Sequence, residues 1–174
     1  MLSKMKSLKP LYLWGKKLEN NHKDLGNIAF PVDRYSIIVW IKSTGLLDGT
    51  VRTALSLYGN PQNFIYYRKL SSDNLIRIQH QMDGFNSIFD YTCMDTNWFM
   101  TTLTIIDNVA SFYVNGKQVG GNEEANPAIN ELKGVVGAIN NKGDSPWRGG
   151  VGYIGIYKPL QESDLITLYK NSGL

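Results

Sequence analysis

The chain has 174 residues, enough for one domain and too few for two of ordinary size. Hydrophobic residues make up 43% and charged residues 19%, which excludes a disordered chain, and no apolar run reaches the ~20 residues of a membrane-spanning helix. Cys93 is the single cysteine, which excludes an intramolecular disulfide and a cysteine zinc site, and we expect it in the core.

The net charge of +3 is unevenly distributed along the chain. Residues 1–25 contain six lysines and two acidic residues and so carry +4, whereas the remainder carries −1. We predict that residues 1–25 are either a basic arm that binds an acidic partner surface or the first strand of a domain spanning 26–174. The segment has no arginine and the remainder no basic stripe with interleaved aromatics, so we expect no nucleic-acid partner.

The next part of the chain consists of short β-branched and aromatic segments separated by turn residues. Residues 35–42 (YSIIVWIK) are apolar on both faces, which predicts a central strand covered on both sides. Residues 53–58, 64–69 and 75–81 are predicted strands, with turns at Gly59-Asn60-Pro61, in residues 71–74 and at Asp83-Gly84. No helices alternate with them, so the predicted fold class is all-β, with antiparallel strands.

A β-meander follows over residues 98–119. Predicted strands at 98–107, 111–114 and 117–119 are joined by Asp107-Asn108 and Asn115-Gly116. Asn-Gly supplies the two positive φ angles of a type I′ turn, so we expect a tight hairpin there.

Only the C-terminus has a helical pattern. Leu165, Leu168 and Tyr169 form one apolar stripe, and Glu162 and Lys170 suit the two ends of the helix dipole. We predict one short helix that ends at Gly173.

The order of these motifs resembles a laminin G-like domain of the concanavalin A-like lectin/glucanase superfamily. The family's F-T-I-S-F-W-V-K strand is matched by residues 35–42, its Trp-opened strand by Trp98, and its Y-V-N-G-K hairpin by residues 113–117. Its aromatic-x-G-x-I-D-E-V-x-I-Y strand is matched by residues 147–157 (WRGGVGYIGIY), and its final helix by residues 160–169 (LQESDLITLY). The resemblance implies a two-sheet jelly roll whose binding site, if present, lies on the concave face or the rim loops.

Two departures from the family pattern affect what the resemblance implies. Gly152-Tyr153 replaces the usual Asp-Glu pair, so a charged site there is not carried over. Gln161 replaces the Ser that usually caps the helix, so we expect the cap at Ser163.

Catalytic groups are not evident. Retaining glycosidases need two carboxylates about 5–5.5 Å apart, and no strand-like segment here carries alternating acids. His80 is predicted to be a strand-face or edge residue rather than part of a triad. We therefore predict no catalytic residues and no enzymatic activity.

We predict no cofactor, with calcium kept as an alternative because many members of the family hold one. The candidate oxygen ligands do not form a dense loop; they are Asp83, Asp90, Asp95, Asn97 and Asp144.

Sugar binding would use aromatic rings together with a few amide or charged groups. The candidate ligand-binding residues are Tyr58, Asn60, Tyr67, Phe85, Asn86, Tyr91 and Arg148. Tyr66 and Tyr67 are adjacent in a strand, so one should face inward and the other outward. Trp147 aligns with a core aromatic of the family, and we expect it to be structural.

We predict a non-enzymatic lectin-like binding or adhesion module that recognises a glycan or cell-surface polysaccharide. The alternative is a structural virion protein, such as a capsid decoration, head-fibre or tail-associated subunit, that binds capsid or tail proteins through residues 1–25. The first residues, MLSKMKSLKPLYLWGKK, lack the apolar stretch of a secretory signal. We therefore expect the surface of a phage or other particle, with the cytoplasm or leaderless export as alternatives.

Overall fold

The computed structural model describes residues 12–14, 18–19, 21–30, 34–43, 49–60, 63–70, 75–92, 97–126 and 131–172. Cys93, Asp95 and Gly173 lie outside these ranges. The strands are β1 (Tyr12–Trp14), β2 (Leu18–Glu19), β3 (Lys23–Ala29), β4 (Tyr35–Ser43), β5 (Arg52–Asn60), β6 (Asn63–Lys69), β7 (Leu75–Met82), β8 (Phe85–Thr92), β9 (Trp98–Ile106), β10 (Val109–Val114), β11 (Lys117–Glu124), β12 (Glu131–Val136) and β13 (Gly149–Tyr157). One helix, α1 (Glu162–Asn171), follows them.

The strands form two antiparallel sheets, which confirms the predicted all-β sandwich. Sheet A has the order β1-β13-β4-β9-β10-β11, and β2 also pairs with β13. Sheet B has the order β3-β12-β5-β6-β7-β8. In β6 and β7 every second residue is buried, because each strand turns one face toward the core and the other away from it. Trp147 is buried in this core, as predicted.

Three hairpins turn on residue pairs with positive φ. The angles are 46° and 90° at Asp83-Gly84, 49° and 61° at Asp107-Asn108, and 51° and 83° at Asn115-Gly116. Two positive values in succession are typical of type I′ turns, whose twist matches that of paired strands. The predicted Asn-Gly turn is therefore confirmed at the tip of the β10–β11 hairpin.

The predicted C-terminal helix is also confirmed, and it packs on the outer face of sheet A. Leu165 and Leu168 are buried there against Ile38 and Trp40, so β4 is covered on both sides. The prediction of a cap at Ser163 is wrong. Gln161 is the N-cap residue, and its backbone N–H donates to Asp164 Oδ2 at 3.1 Å, which anchors the first turn without a serine.

The tip of the β10–β11 hairpin lies directly against α1. A Cβ atom at Gly116 would stand 2.7 Å from the backbone of Ile166, too close for any side chain. At the same tip, the Asn115 side chain accepts a hydrogen bond from Met100 N at 2.9 Å. Hairpin tip, helix and β9 are therefore fixed to one another.

The basic N-terminal segment contributes strands to the sandwich. β1 pairs with β13 through Tyr12–Trp14, and β3 pairs with β12, so the predicted domain boundary at residue 26 falls inside β3. Residues 1–11 lie outside the described ranges. Within those ranges, no helix has the length and apolar character needed to cross a membrane.

The edge strands of the two sheets meet at β8 and β11. The Ser87 hydroxyl donates to the Glu124 carbonyl at 3.1 Å, and the Ile88 backbone N–H donates to Glu123 Oε2 at 3.2 Å. These bonds join sheet B to sheet A along one side of the sandwich.

Candidate functional site

The outward side chains of β5 to β8 form a continuous, partly exposed surface on sheet B, which we call the β5–β8 face. In β6 and β7 they alternate with buried residues of the same strand, so their position there follows from the strand period of two. The face consists of Tyr58, Phe64, Tyr66, Arg68, Arg77, Gln79, Gln81, Asn86, Ile88 and Asp90.

A column of planar groups runs along β6. The rings of Phe64 and Tyr66 are stacked with centroids 4.3 Å apart and planes inclined by 19°. The guanidinium carbon of Arg68 lies 3.9 Å from the centroid of the Tyr66 ring. At these distances Phe64 and Arg68 cannot both lie on the same side of the Tyr66 ring. The Tyr66 ring therefore lies between them. Burial raises the pKa of Tyr66 and lowers that of Arg68.

Polar side chains of β7 and β8 are paired beside this column. Gln79 Nε2 donates to Asn86 Oδ1 at 3.1 Å. Arg77 donates from Nε and Nη2 to the two oxygens of Asp90 at 2.8 and 2.7 Å, a bidentate ion pair. These hydrogen bonds hold the pKa of Asp90 below its usual value and raise the pKa of Arg77.

The structure brings two of the predicted ligand-binding residues onto one row of this face. These residues are Tyr58 and Asn86. The row runs across the four strands through register partners, from Tyr58 to Phe64, then to Gln81 and finally to Asn86. Asn60 lies at the end of β5 and pairs with Asn63, one step beyond the row.

Other predicted residues lie elsewhere. Tyr67 is 0% exposed and its hydroxyl donates to the Ile37 carbonyl at 3.3 Å, so its placement at a ligand site was wrong; Tyr66 is the outward member of the pair. Phe85 and Tyr91 lie on the same face of the edge strand β8 as the buried Phe89, which is the face turned toward sheet A. Tyr91 packs against the core. Arg148 is exposed immediately before β13, a strand of sheet A.

Sequence reasoning missed five polar or aromatic members of the face, namely Phe64, Arg68, Arg77, Gln79 and Gln81. The signal was present in residues 64–68 and 75–82, where Ile65, Ile76 and Ile78 alternate with aromatic, Arg and Gln side chains. Alternate positions of a strand share one face, so assigning the positions between the inward residues to a common outward face would have identified these side chains.

Two of the candidate calcium ligands, Asp90 and Asp144, are engaged in other hydrogen bonds. Both Asp90 oxygens bind Arg77, and Asp144 Oδ2 accepts from Asn140 Nδ2 at 2.7 Å. Within the described ranges, no three His, Cys, Asp or Glu side chains are grouped to hold a metal ion. Calcium therefore stays a prediction for which these residues offer no shared site.

Carboxylates are scarce on the β5–β8 face. Among the residues of these four strands, Asp90 is the one acid, and its two oxygens are engaged by Arg77. A retaining or inverting glycosidase would need a second carboxylate facing it across the substrate. The chemistry available here is hydrogen bonding, ring contact and positive charge.

A family model described as the concanavalin A-like lectin/glucanases superfamily matches residues 17–163, most of the chain. Among curated proteins, no sequence matches.

Solved structures with the same fold come from several proteins. Domain 4 of AbnA, an extracellular arabinanase from Geobacillus stearothermophilus in complex with arabinotriose, is 17% identical with a TM-score of 0.67, over 87% of this chain and 74% of that one. The CBM40 of the Ruminococcus gnavus IT-sialidase, bound to α2,3-sialyllactose, is 13% identical with a TM-score of 0.68, over 92% and 100%. The binding domain of botulinum neurotoxin DC, in complex with rat synaptotagmin II, is 14% identical with a TM-score of 0.63, over 91% and 46%. At such identities the likeness is one of fold.

Proposed function

Because the chain belongs to the concanavalin A-like lectin/glucanases superfamily, we propose that it is a non-enzymatic glycan-binding module that binds its ligand on the β5–β8 face. Fold alone does not assign a function, so the proposal depends on the chemistry of that face. Two of the structurally similar proteins, the arabinanase domain and the CBM40, were solved with oligosaccharides, which supports the same ligand class here.

The observation that carries the proposal is the mixture of groups on one partly exposed surface. Tyr58 and Phe64 supply rings that can pack against the apolar faces of sugars. The amides of Gln79, Gln81 and Asn86 supply donors and acceptors at the spacing of adjacent strands, and sugar hydroxyls need both. Mutual pairing of Gln79 with Asn86 fixes the orientation of both amides before a ligand arrives.

The absence of enzymatic activity is part of the same proposal. Asp90 is the one carboxylate among the residues of β5 to β8, and its bidentate bond to Arg77 keeps it ionised and positioned away from proton transfer. A general acid would instead need a raised pKa.

A panel of immobilised plant, bacterial and animal glycans tests the proposal. We expect saturable binding to at least one glycan, weakened about tenfold or more by Q81A/N86A. The matched control is Q118A/T167A, which removes two exposed polar side chains from β11 and α1 on the other side of the sandwich. Folded protein that binds no glycan at millimolar concentration, or a control variant that loses binding equally, would contradict the proposal.

A place on a virion or other particle surface remains a separate prediction from the sequence, as does binding of capsid or tail proteins through residues 1–25. The +4 charge of that segment supports it. Co-purification of the chain with particles, and its release at high salt, would test it.

A further inference from the structure

We infer that Arg68 binds an anionic group, a carboxylate or a sulfate, so that the glycan recognised by the β5–β8 face is an acidic one. The inference rests on the proposed function and specifies its ligand class. It is carried by one row of residues that crosses four strands of sheet B.

In this row, Thr53 of β5 is the register partner of Arg68 of β6, Arg68 is opposite Arg77 of β7, and Arg77 is opposite Asp90 of β8. Two guanidinium groups therefore face each other on adjacent strands with one carboxylate in the row. Like charges directly opposite each other on a sheet are destabilising, and one carboxylate balances only one of the two guanidinium groups.

Asp90 does not supply that charge to Arg68. Its two oxygens accept from Nε and Nη2 of Arg77 at 2.8 and 2.7 Å, and this fork occupies the carboxylate. The ion pairs among the described residues join Arg34 to Asp107, Arg77 to Asp90 and Lys133 to Asp24, and none includes Arg68.

Two buried polar atoms at this end of the row, Arg68 Nε and Thr53 Oγ1, have no hydrogen-bond partner among the described residues. The Arg68 Nε–H is buried and has no acceptor among the described residues. The hydroxyl of Thr53, a residue 0% exposed, also has no partner within the described ranges. A buried donor left without an acceptor is destabilising, and an anion can accept from a guanidinium at more than one position.

The guanidinium is also held in place. It lies on the Tyr66 ring, which is backed by Phe64, so the planar column fixes the direction of its donor edge. Arg68 is half-buried, and a partly desolvated cation attracts an anion more strongly than a fully hydrated one. A neutral sugar could hydrogen-bond here but would leave the charge of Arg68 uncompensated.

The test uses pairs of glycans that differ only in the anionic group. Trigalacturonic acid and its methyl ester probe the carboxylate, 3′-sialyllactose and lactose probe a sialic acid carboxylate, and dextran sulfate and dextran probe the sulfate. Binding of the full chain is measured by calorimetry or interferometry at two salt concentrations. We expect an acidic member to bind at least about tenfold more tightly than its neutral counterpart and to weaken in salt.

The variants are R68M, R68K and the control R34M, which removes an arginine paired with Asp107 on the other sheet. R68M should weaken acidic-glycan binding roughly ten- to hundredfold and so abolish the preference for the acidic member of each pair. R68K, which keeps charge without the planar fork, should be intermediate, and R34M should bind as the original chain does. Retained melting temperatures establish that each variant is folded.

Neutral and acidic members bound equally, with R68M unaffected, would overturn this inference and leave the proposed function intact. Binding to neither member of any pair, nor to the wider glycan panel, would overturn both.

Discussion

Inside the sandwich, His80 Nε2 lies 2.8 Å from the hydroxyl of Tyr35, and neither side chain is exposed to solvent. His80 lies on the core-facing side of β7, as the prediction of a strand-face residue allows, and not at a sheet edge, because β7 pairs with a strand on each side. Burial lowers the pKa of His80 to about 4, because the charged imidazolium is costly in the core.

The first prediction is a loss of stability in mild acid. The folded-state pKa of His80 lies below the unfolded value of about 6.5, so the unfolded chain takes up the proton first as pH falls. Stability contributed by neutral His80 is complete above pH 6.5 and falls by about 3 kcal/mol on reaching pH 4. Urea unfolding of the original chain and H80Q at several pH values measures this: the difference between the two should shrink as pH falls.

The control is H22Q, which replaces an exposed histidine. The loss of stability between pH 6.5 and pH 4 should persist in this variant, because His80 is retained. A pH profile of H80Q parallel to that of the original chain would show that His80 is not the titrating group.

The second prediction concerns two glycines of similar conformation in different surroundings. Gly116 and Gly84 have φ of 83° and 90°, but only Gly116 would place a Cβ against other backbone atoms, those of Ile166 at 2.7 Å. G84A should cost about 1 kcal/mol through backbone strain. G116A should cost about 2–4 kcal/mol, because it adds displacement of α1. Equal losses in denaturant unfolding would contradict the contact with the helix.

The third prediction separates outward from inward aromatic residues. Y58A should weaken glycan binding about tenfold and change stability little, because Tyr58 lies on the β5–β8 face. Y67F should leave binding unchanged and lower the free energy of unfolding by about 1 kcal/mol, since it removes the hydrogen bond to the Ile37 carbonyl. Parallel calorimetry and unfolding measurements check both; reversed effects would place the site elsewhere.

The fourth prediction follows from the ion pair of Arg77 with Asp90. D90N should strengthen binding of an acidic glycan several-fold, because it leaves two uncompensated guanidinium groups side by side. Its effect on stability should stay below about 1 kcal/mol, since both side chains are about a third exposed (31% and 34%). The charge-matched control D107N, at the β9–β10 turn, should not change affinity; a D90N variant that binds no better argues against an electrostatic role for this row.

Much of the fold could be predicted from local signals. The residue types at Asp83-Gly84, Asp107-Asn108 and Asn115-Gly116 favour positive φ, so all three turns could be predicted from the sequence, although β8 after Asp83-Gly84 was not. The apolar stripe of Leu165 and Leu168 similarly marked the helix.

The site was less predictable because it depends on register between strands. The row from Thr53 to Asp90 joins residues 37 positions apart, and neither charge pairing nor the unmatched Arg68 is visible within any one segment. The same holds for His80, whose burial is set by the strand face turned to Tyr35. A period of two gives two equal faces, and only packing decides which becomes the interior.

The bonds from Ser87 and Ile88 to Glu124 and Glu123 have a consequence for how the molecule behaves in a crowded solution. An edge strand with free amides can template a strand of another molecule, which is how many β-proteins aggregate. Here the amide of Ile88 already has a carboxylate as acceptor, and a foreign strand would have to displace it. These bonds therefore disfavour self-association along one side of the sandwich. The variant E123Q, which has a weaker acceptor for the Ile88 amide, should aggregate at a lower temperature on heating than the original chain.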